Sequence, residues 1–221
     1  RRLLAEVAAH VVCVVARQHD DLAGAHPHRR RIRDLQEQLA GGTWRWRRAR
    51  MTALSDPPEK SDPSDRDAMP GYLGAQLAEA MGEAEREVII VSPYFVPRDA
   101  GVAQLLDLRR RGVRVLIVTN SLAATDVPAV HSGYARYRRA LLEGGVEIYE
   151  VRAEPVRSGD APVERRVGTS RSSLHAKLLM VDRRVAFVGS MNVDPRSIAL
   201  NTENGMVIES EEIAEAIAQG L

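Results

Sequence analysis

One cysteine in 221 residues, Cys13, excludes an internal disulfide and leaves the redox compartment open. A dominant charge sign is missing too: 31 Lys and Arg face 30 Asp and Glu, for a net charge of +1. That balance argues against a strongly basic nucleic-acid binder, although local patches stay open. The only membrane-like run, residues 3–16 (LLAEVAAHVVCVVA), is about 14 residues long and contains Glu6 and His10. It falls short of the ~20 residues a bilayer requires and has no small-residue cleavage site after it. It reads as a buried amphipathic helix, so any membrane contact is peripheral or made by other parts. No His/Cys/Asp cluster has metal-ligand spacing, so no metal or other cofactor is expected. Lysine is scarce: Lys60 and Lys177 stand alone in a chain that otherwise uses arginine.

What the chain does have is concentrated in residues 174–192, LHAKLLMVDRRVAFVGSMN. Successive side chains of a strand point to opposite faces, so His175 and Lys177 share one face. Ser190 and Asn192 share a face of the next segment if it stays extended. An imidazole, a compact cation, a hydroxyl and an amide would then converge. That set suits a phosphoryl group, with the imidazole for covalent or acid–base work and the donors for charge on the oxygens. Lysine fits such a role as a point charge where arginine is a planar fork.

His175, Lys177 and Asp182, followed by Gly189, Ser190 and Asn192, resemble the HxKxxxxD…GSxN pattern of the phospholipase D superfamily. Glu203, in NTENGMVIES, falls where that family often has an acid bonded to the motif histidine. Asp182 sits in an Asp-Arg-Arg turn between two apolar runs, where a structural role is expected although it belongs to the motif. The resemblance covers about residues 70–210. SPYFVP (92–97) and residues 119–151 are similar to the second half of bacterial cardiolipin synthases.

That resemblance implies a phosphatidyltransferase or phosphodiesterase acting on a phospholipid such as phosphatidylglycerol. The phosphatidyl group would pass through a phosphohistidine to an alcohol acceptor. Lys177 and Asn192 would hold the non-bridging oxygens, and Glu203 would orient His175. Such proteins carry two motifs and one active site between two halves. Here a second is missing, since His19, His26 and His28 have no Lys two residues on. Residues 1–69 are therefore expected to be a remnant and linker from an absent first half, and residues 70–221 the catalytic domain. The ends read as cuts in a longer protein, and the isolated chain as inactive. The partners implied are that half in cis or a second copy, and a bacterial membrane surface touched peripherally.

The coarse pattern supports this. Helices are expected over residues 1–17, 31–39, 72–84, 102–111, 128–143 and from 211. Strands are expected over 43–54, with Trp44 and Trp46 on one face, and over 87–92, 113–120, 146–151, 174–181, 185–189 and 204–208. Residues 55–70, rich in Pro, Ser and Asp, read as a linker, and residues 152–173 as a long loop. Strand–helix alternation implies an α/β fold, a phospholipase D-like α/β/α sandwich with a mixed, largely parallel sheet. Active sites in such sheets lie at strand ends, which makes Asn120 a candidate beside Asn192.

Other candidates are weaker. Tyr94 and Phe95 are placed at the substrate entrance, with core packing the alternative. Asn120, Ser121 and Asp126 divide evenly between pocket and turn. His131, Tyr134 and Tyr137 are explained by packing alone. Arg45, Arg47, Arg48 and Arg50 suit anionic headgroups or a solvated face. Arg109–Arg111 suit a helix C-terminus. Two rival functions stand beside lipid transfer: a dimeric phospholipase D-type nuclease or phosphodiesterase, and a non-catalytic fragment. The near-neutral charge speaks against nucleic acid.

Overall fold

The computed structural model describes residues 37, 41, 47–62, 71–152 and 174–221. The helix expected over 1–17, most of that over 31–39, Trp44, Trp46, Arg45 and the loop over 153–173 lie outside the described residues.

Seven strands form one sheet. They are β1 (Arg50–Ser55), β2 (Glu87–Val91), β3 (Arg114–Asn120), β4 (Glu147–Val151), β5 (Leu178–Val181), β6 (Val185–Gly189) and β7 (Asn204–Glu209), in the order β1-β7-β6-β5-β2-β3-β4. The helices are α1 (Leu73–Gly82), α2 (Arg98–Arg110), α3 (Pro128–Glu143), α4 (Pro195–Ala199) and α5 (Glu211–Ala218). A 3-10 turn spans Pro58–Ser61.

The central strand explains the layering. All five residues of β2 are buried, which is why EVIIV reads as a continuous apolar run. Alternate residues feed two cores. Val88 and Ile90 pack with Val115 and Ile117 of β3, Met81, Leu105, Leu108, Tyr134 and Leu141 under α1, α2 and α3. Ile89 and Val91 pack with Leu178, Met180, Ala186 and Ala214, on the side covered by α5. Each such aliphatic side chain contributes about 1.5–3 kcal/mol on burial. The expected α/β/α sandwich is therefore present.

The sheet is mixed, but the expectation of a largely parallel one is corrected. Only β2–β3 and β3–β4 are parallel, each joined by a helical crossover. The pairs β2–β5, β5–β6, β6–β7 and β1–β7 are antiparallel. The reason for β5–β6 is local. Asp182 and Arg183 both take φ of 53°, and Arg184 N–H donates to Val181 carbonyl, which makes a turn of the type I′ class that hairpins favour.

Further boundaries differ. Strand β5 begins at Leu178, four residues later than expected, because residues 174–177 run past the ends of the neighbouring strands. Helix α2 begins at Arg98, four residues before the apolar periodicity shows it. Helix α4 was not expected at all; Asp194 caps it by accepting from Arg196 and Ser197 N–H. Strand β1 belongs to the sheet, paired along its length with β7, and Asp56 and Lys60 beyond it are buried. Residues 50–62 are thus part of the folded domain, and the reading of 55–70 as a linker fails over its first half. Asp and Lys there look like linker composition because only tertiary contact buries them.

Candidate functional site

Residues 174–177 precede β5 as extended chain outside the ladder. They continue past the C-terminal ends of β2 and β3, because Leu178 pairs with Val91. The buried Asn120, last residue of β3, grips this segment from the side. Its Nδ2 donates to Leu174 carbonyl at 3.3 Å, and its Oδ1 accepts from Leu174 N–H at 2.9 Å. Lys177 carbonyl accepts from Gly189 N–H at 3.3 Å. His175 is held between these two anchors and stays exposed.

His175 and Lys177 lie on one side of the chain, as expected, although both precede the strand that begins at Leu178. Lys177 Nζ lies 3.4 Å from His175 Nε2 and 3.5 Å from Nδ1, and donates to His175 carbonyl at 2.8 Å. Burial pushes the Lys177 ammonium below the usual lysine range, opposed by the nearby Glu203 and Asp126 carboxylates. An ammonium held half out of water, beside an exposed imidazole, is a ready partner for phosphoryl oxygens.

Ser190 and Glu203 form the rear of the site. Ser190 Oγ donates to Glu203 Oε2 at 2.5 Å and accepts from Asn204 N–H at 3.0 Å. The other Glu203 oxygen accepts from Asn201 Nδ2 at 3.5 Å. No hydrogen bond joins Glu203 to His175, so this structure does not place the acid on the histidine ring as the resemblance implies. Asn192 has a buried Oδ1, an acceptor, without a hydrogen-bond partner among the described residues.

Gly189 of the Gly-Ser-x-Asn segment has a steric cause. It pairs with Gly205 of β7, and the Phe187 ring lies over both. A Cβ on Gly189 would fall 2.9 Å from Gly205 Cα and run into the Asn204 carbonyl and the Phe187 ring. This glycine makes room for the facing β7 backbone and for the Phe187 ring together.

The remaining candidates separate. Asp182 lies at the far end of β5 from His175. It accepts from Glu85, Arg86 and Glu87 N–H at 3.0, 2.7 and 2.8 Å, which locks the hairpin to the start of β2. Burial raises its carboxyl, and these backbone donors outweigh that and hold it below the ordinary aspartate value. This is the structural role expected of Asp182 in the Asp-Arg-Arg turn, and it removes the residue from the catalytic candidates of the motif. The placement of Phe95 at the entrance is corrected: it is 1% exposed and packs edge-on against Tyr134, so it lines no entrance. Asn120 is spent on Leu174 and positions the site from beneath. Tyr94 stays half-buried and donates to Asp126 Oδ1 at 2.8 Å; burial, then this bond, pushes its phenol up to about 12. The Tyr94–Asp126 pair borders Lys177, whereas Ser121 closes a turn through Ala124 and Thr125 N–H.

His131 and Tyr134 stack edge-on at 5.3 Å, as packing residues do. Arg47 pairs with Glu212 and Arg50 with Glu209, which favours the solvated-face reading of that cluster. Arg110 and Arg111 pair with Asp107 at the end of α2. A charged depression of about 480 Å³ lies at the opposite end of the sheet from His175. Its Glu87 is bonded to Arg114 and Arg183, and Arg183 to Glu215, so its charges are satisfied internally. Sequence reasoning missed Asp56, whose Oδ2 accepts from Glu203 N–H at 3.0 Å. The available signal was Lys60, the other lysine, bonded to that aspartate.

Comparison with known proteins follows the same lines. The family model described as "Cardiolipin synthase, PLD-like domain" matches residues 77–221. Cardiolipin synthase C of Escherichia coli (strain K12) is 47% identical over 174 residues, covering 78% of this chain and 36% of that protein. The chain thus spans about a third of that relative's length. The phosphatidylserine synthase structure from Haemophilus influenzae Rd KW20 superposes with a TM-score of 0.55 at 18% identity, covering 90% of this chain and 46% of that one. Nuc, a phospholipase D family member from Salmonella typhimurium, gives 0.52 at 19% identity, covering 77% and 91%. Identities this low speak to the fold alone.

Proposed function

The chain belongs to the cardiolipin synthase family of phospholipase D-like domains, and we propose that it supplies one half of a phosphatidyltransferase site acting on phospholipids. The observation that carries this reading is Lys177 Nζ within 3.5 Å of both His175 ring nitrogens, at the ends of the central strands. The 47% identity to a named cardiolipin synthase supports the lipid substrate over nucleic acid.

The chemistry is a double displacement. One imidazole nitrogen attacks phosphorus, and the bond from phosphorus to the leaving alcohol oxygen breaks. A second imidazole gives that oxygen its proton. The acceptor alcohol then attacks the phosphohistidine, returns its proton to the second imidazole, and the phosphorus–nitrogen bond breaks. Lys177 and Asn192 hold the non-bridging oxygens as charge builds. His175 is one imidazole of the pair. The other comes from the remaining part of the full-length protein or from a second copy. The membrane contact proposed for this domain is peripheral. Among the described residues no helix is long and apolar enough to cross a membrane.

The test is turnover by the full-length protein on phosphatidylglycerol vesicles, with products resolved as transferred lipid, phosphatidic acid or none. Transferred lipid from wild type and none from His175→Ala is expected. No lipid product, with cleavage of DNA that falls steeply with salt, would replace this reading by the nuclease one.

A further inference from the structure

The second lysine of the chain has a fully buried side chain. Lys60 and Asp56 each have 0% side-chain exposure, and Lys60 Nζ donates to Asp56 Oδ2 at 2.5 Å. Burial of two charges is costly, and a pair placed only for stability is often replaceable by apolar groups. The bonds this pair makes are therefore informative. Asp56 Oδ1 accepts from Leu73 N–H at 2.7 Å, and Oδ2 also accepts from Glu203 N–H at 3.0 Å. Asp56 N–H donates to Glu203 carbonyl at 2.8 Å. Lys60 Nζ donates to Ser197 carbonyl at 2.8 Å, in the helix that follows Asn192. The pair thus grips both backbone groups of Glu203 and the helix that begins three residues downstream of Asn192.

We infer that Asp56 and Lys60 are positioning residues, which set the Glu203 carboxylate on Ser190 and fix the helix that follows the segment carrying Asn192. Neither touches substrate. The strand β1 that delivers them is joined to the sheet only through β7, so this is a support for the site supplied from outside the catalytic segment. The inference rests on the proposed reaction for its kinetic readout and on geometry for its other readout.

The test uses the full-length protein with Asp56→Asn, Lys60→Met and the double variant. Each single variant leaves a buried charge unpaired and lowers Tm by about 10 °C. The double variant removes both charges and recovers most of that loss. Its asparagine offers one carbonyl oxygen where the carboxylate offered two, so Leu73 and Glu203 N–H are no longer both satisfied. In the double variant kcat stays lowered by roughly tenfold or more while KM for lipid stays within about twofold. Amide exchange at Glu203 and Ser190 rises about tenfold, and that of the β2–β3 core is unchanged. Recovery of kcat together with Tm would overturn the inference and leave a fold clamp. If wild type shows no lipid turnover, the proposed function fails, and the exchange at Glu203 and Ser190 alone decides this inference: faster supports it, unchanged refutes it.

Discussion

Ser190 donates its hydroxyl to the Glu203 carboxylate at 2.5 Å, and His175 has no share in that bond. The acid implied for the histidine is engaged with the serine of the same motif. Lys177 is the side chain that links the two parts, lying beside the His175 ring and within the field of Glu203.

Removing the His175 ring tests chemistry apart from folding, because that ring is exposed. His175→Ala in the full-length protein is expected to lose phosphatidyl transfer and to keep its Tm within about 2 °C. Lys177→Arg keeps the charge but not its compact shape, and turnover should fall about a hundredfold. Circular dichroism melts beside lipid product analysis check both. Normal turnover by His175→Ala would remove the mechanism.

Asp126 opposes the effect of burial on Lys177. Asp126→Asn takes away that carboxylate, so the ammonium loses its proton at lower pH than in wild type. The alkaline limb of the kcat/KM profile should therefore move to lower pH. An unmoved limb would mean that the charge of Lys177 does not limit the reaction.

Asp182→Ala strips three backbone N–H groups of their acceptor and should cost about 2–3 kcal/mol, or roughly 6–10 °C in Tm. Its kcat, measured below the melting range, should stay within about twofold of wild type. The pH dependence carries a sign. The folded carboxyl lies below its ordinary value of 3.8, so the unfolded chain binds more protons. The stability that Asp182 contributes is present above that value and is lost as pH falls through the lower folded one. Urea melts of wild type and Asp182→Asn should converge in that acid range.

Gly189→Ala should destabilise by about 1–3 kcal/mol, since the new methyl meets the Asn204 carbonyl, the Phe187 ring and the Gly205 backbone. Gly189→Ala combined with Phe187→Leu should recover part of the loss, because the shorter side chain vacates the crowded space. A double variant no more stable than Gly189→Ala would put the cost in the Asn204 carbonyl contact instead.

The local patterns were enough to place β2, β3, β6 and α3, because each has its own period and its own stop. Gly145, with φ of 82°, ends α3 where the glycine pair predicted it. The same holds for His175 and Lys177, whose shared side follows from extended-chain geometry two residues apart. Strand direction was a different matter. Periodicity says that a segment pairs, and nothing in it says with which neighbour or in which sense. The share of antiparallel pairs, the place of β5 beside β2, and the seat of β1 beyond β7 were decided by how the cores closed. The same is true of Asn120 under Leu174, of Glu203 on Ser190, and of the Asp56–Lys60 pair. Asn120 and Leu174 lie 54 positions apart, Ser190 and Glu203 lie 13 apart, and Asp56 lies 147 from the Glu203 that it holds. Their partners are chosen by burial, which leaves each polar group needing a bond that only a distant segment can supply.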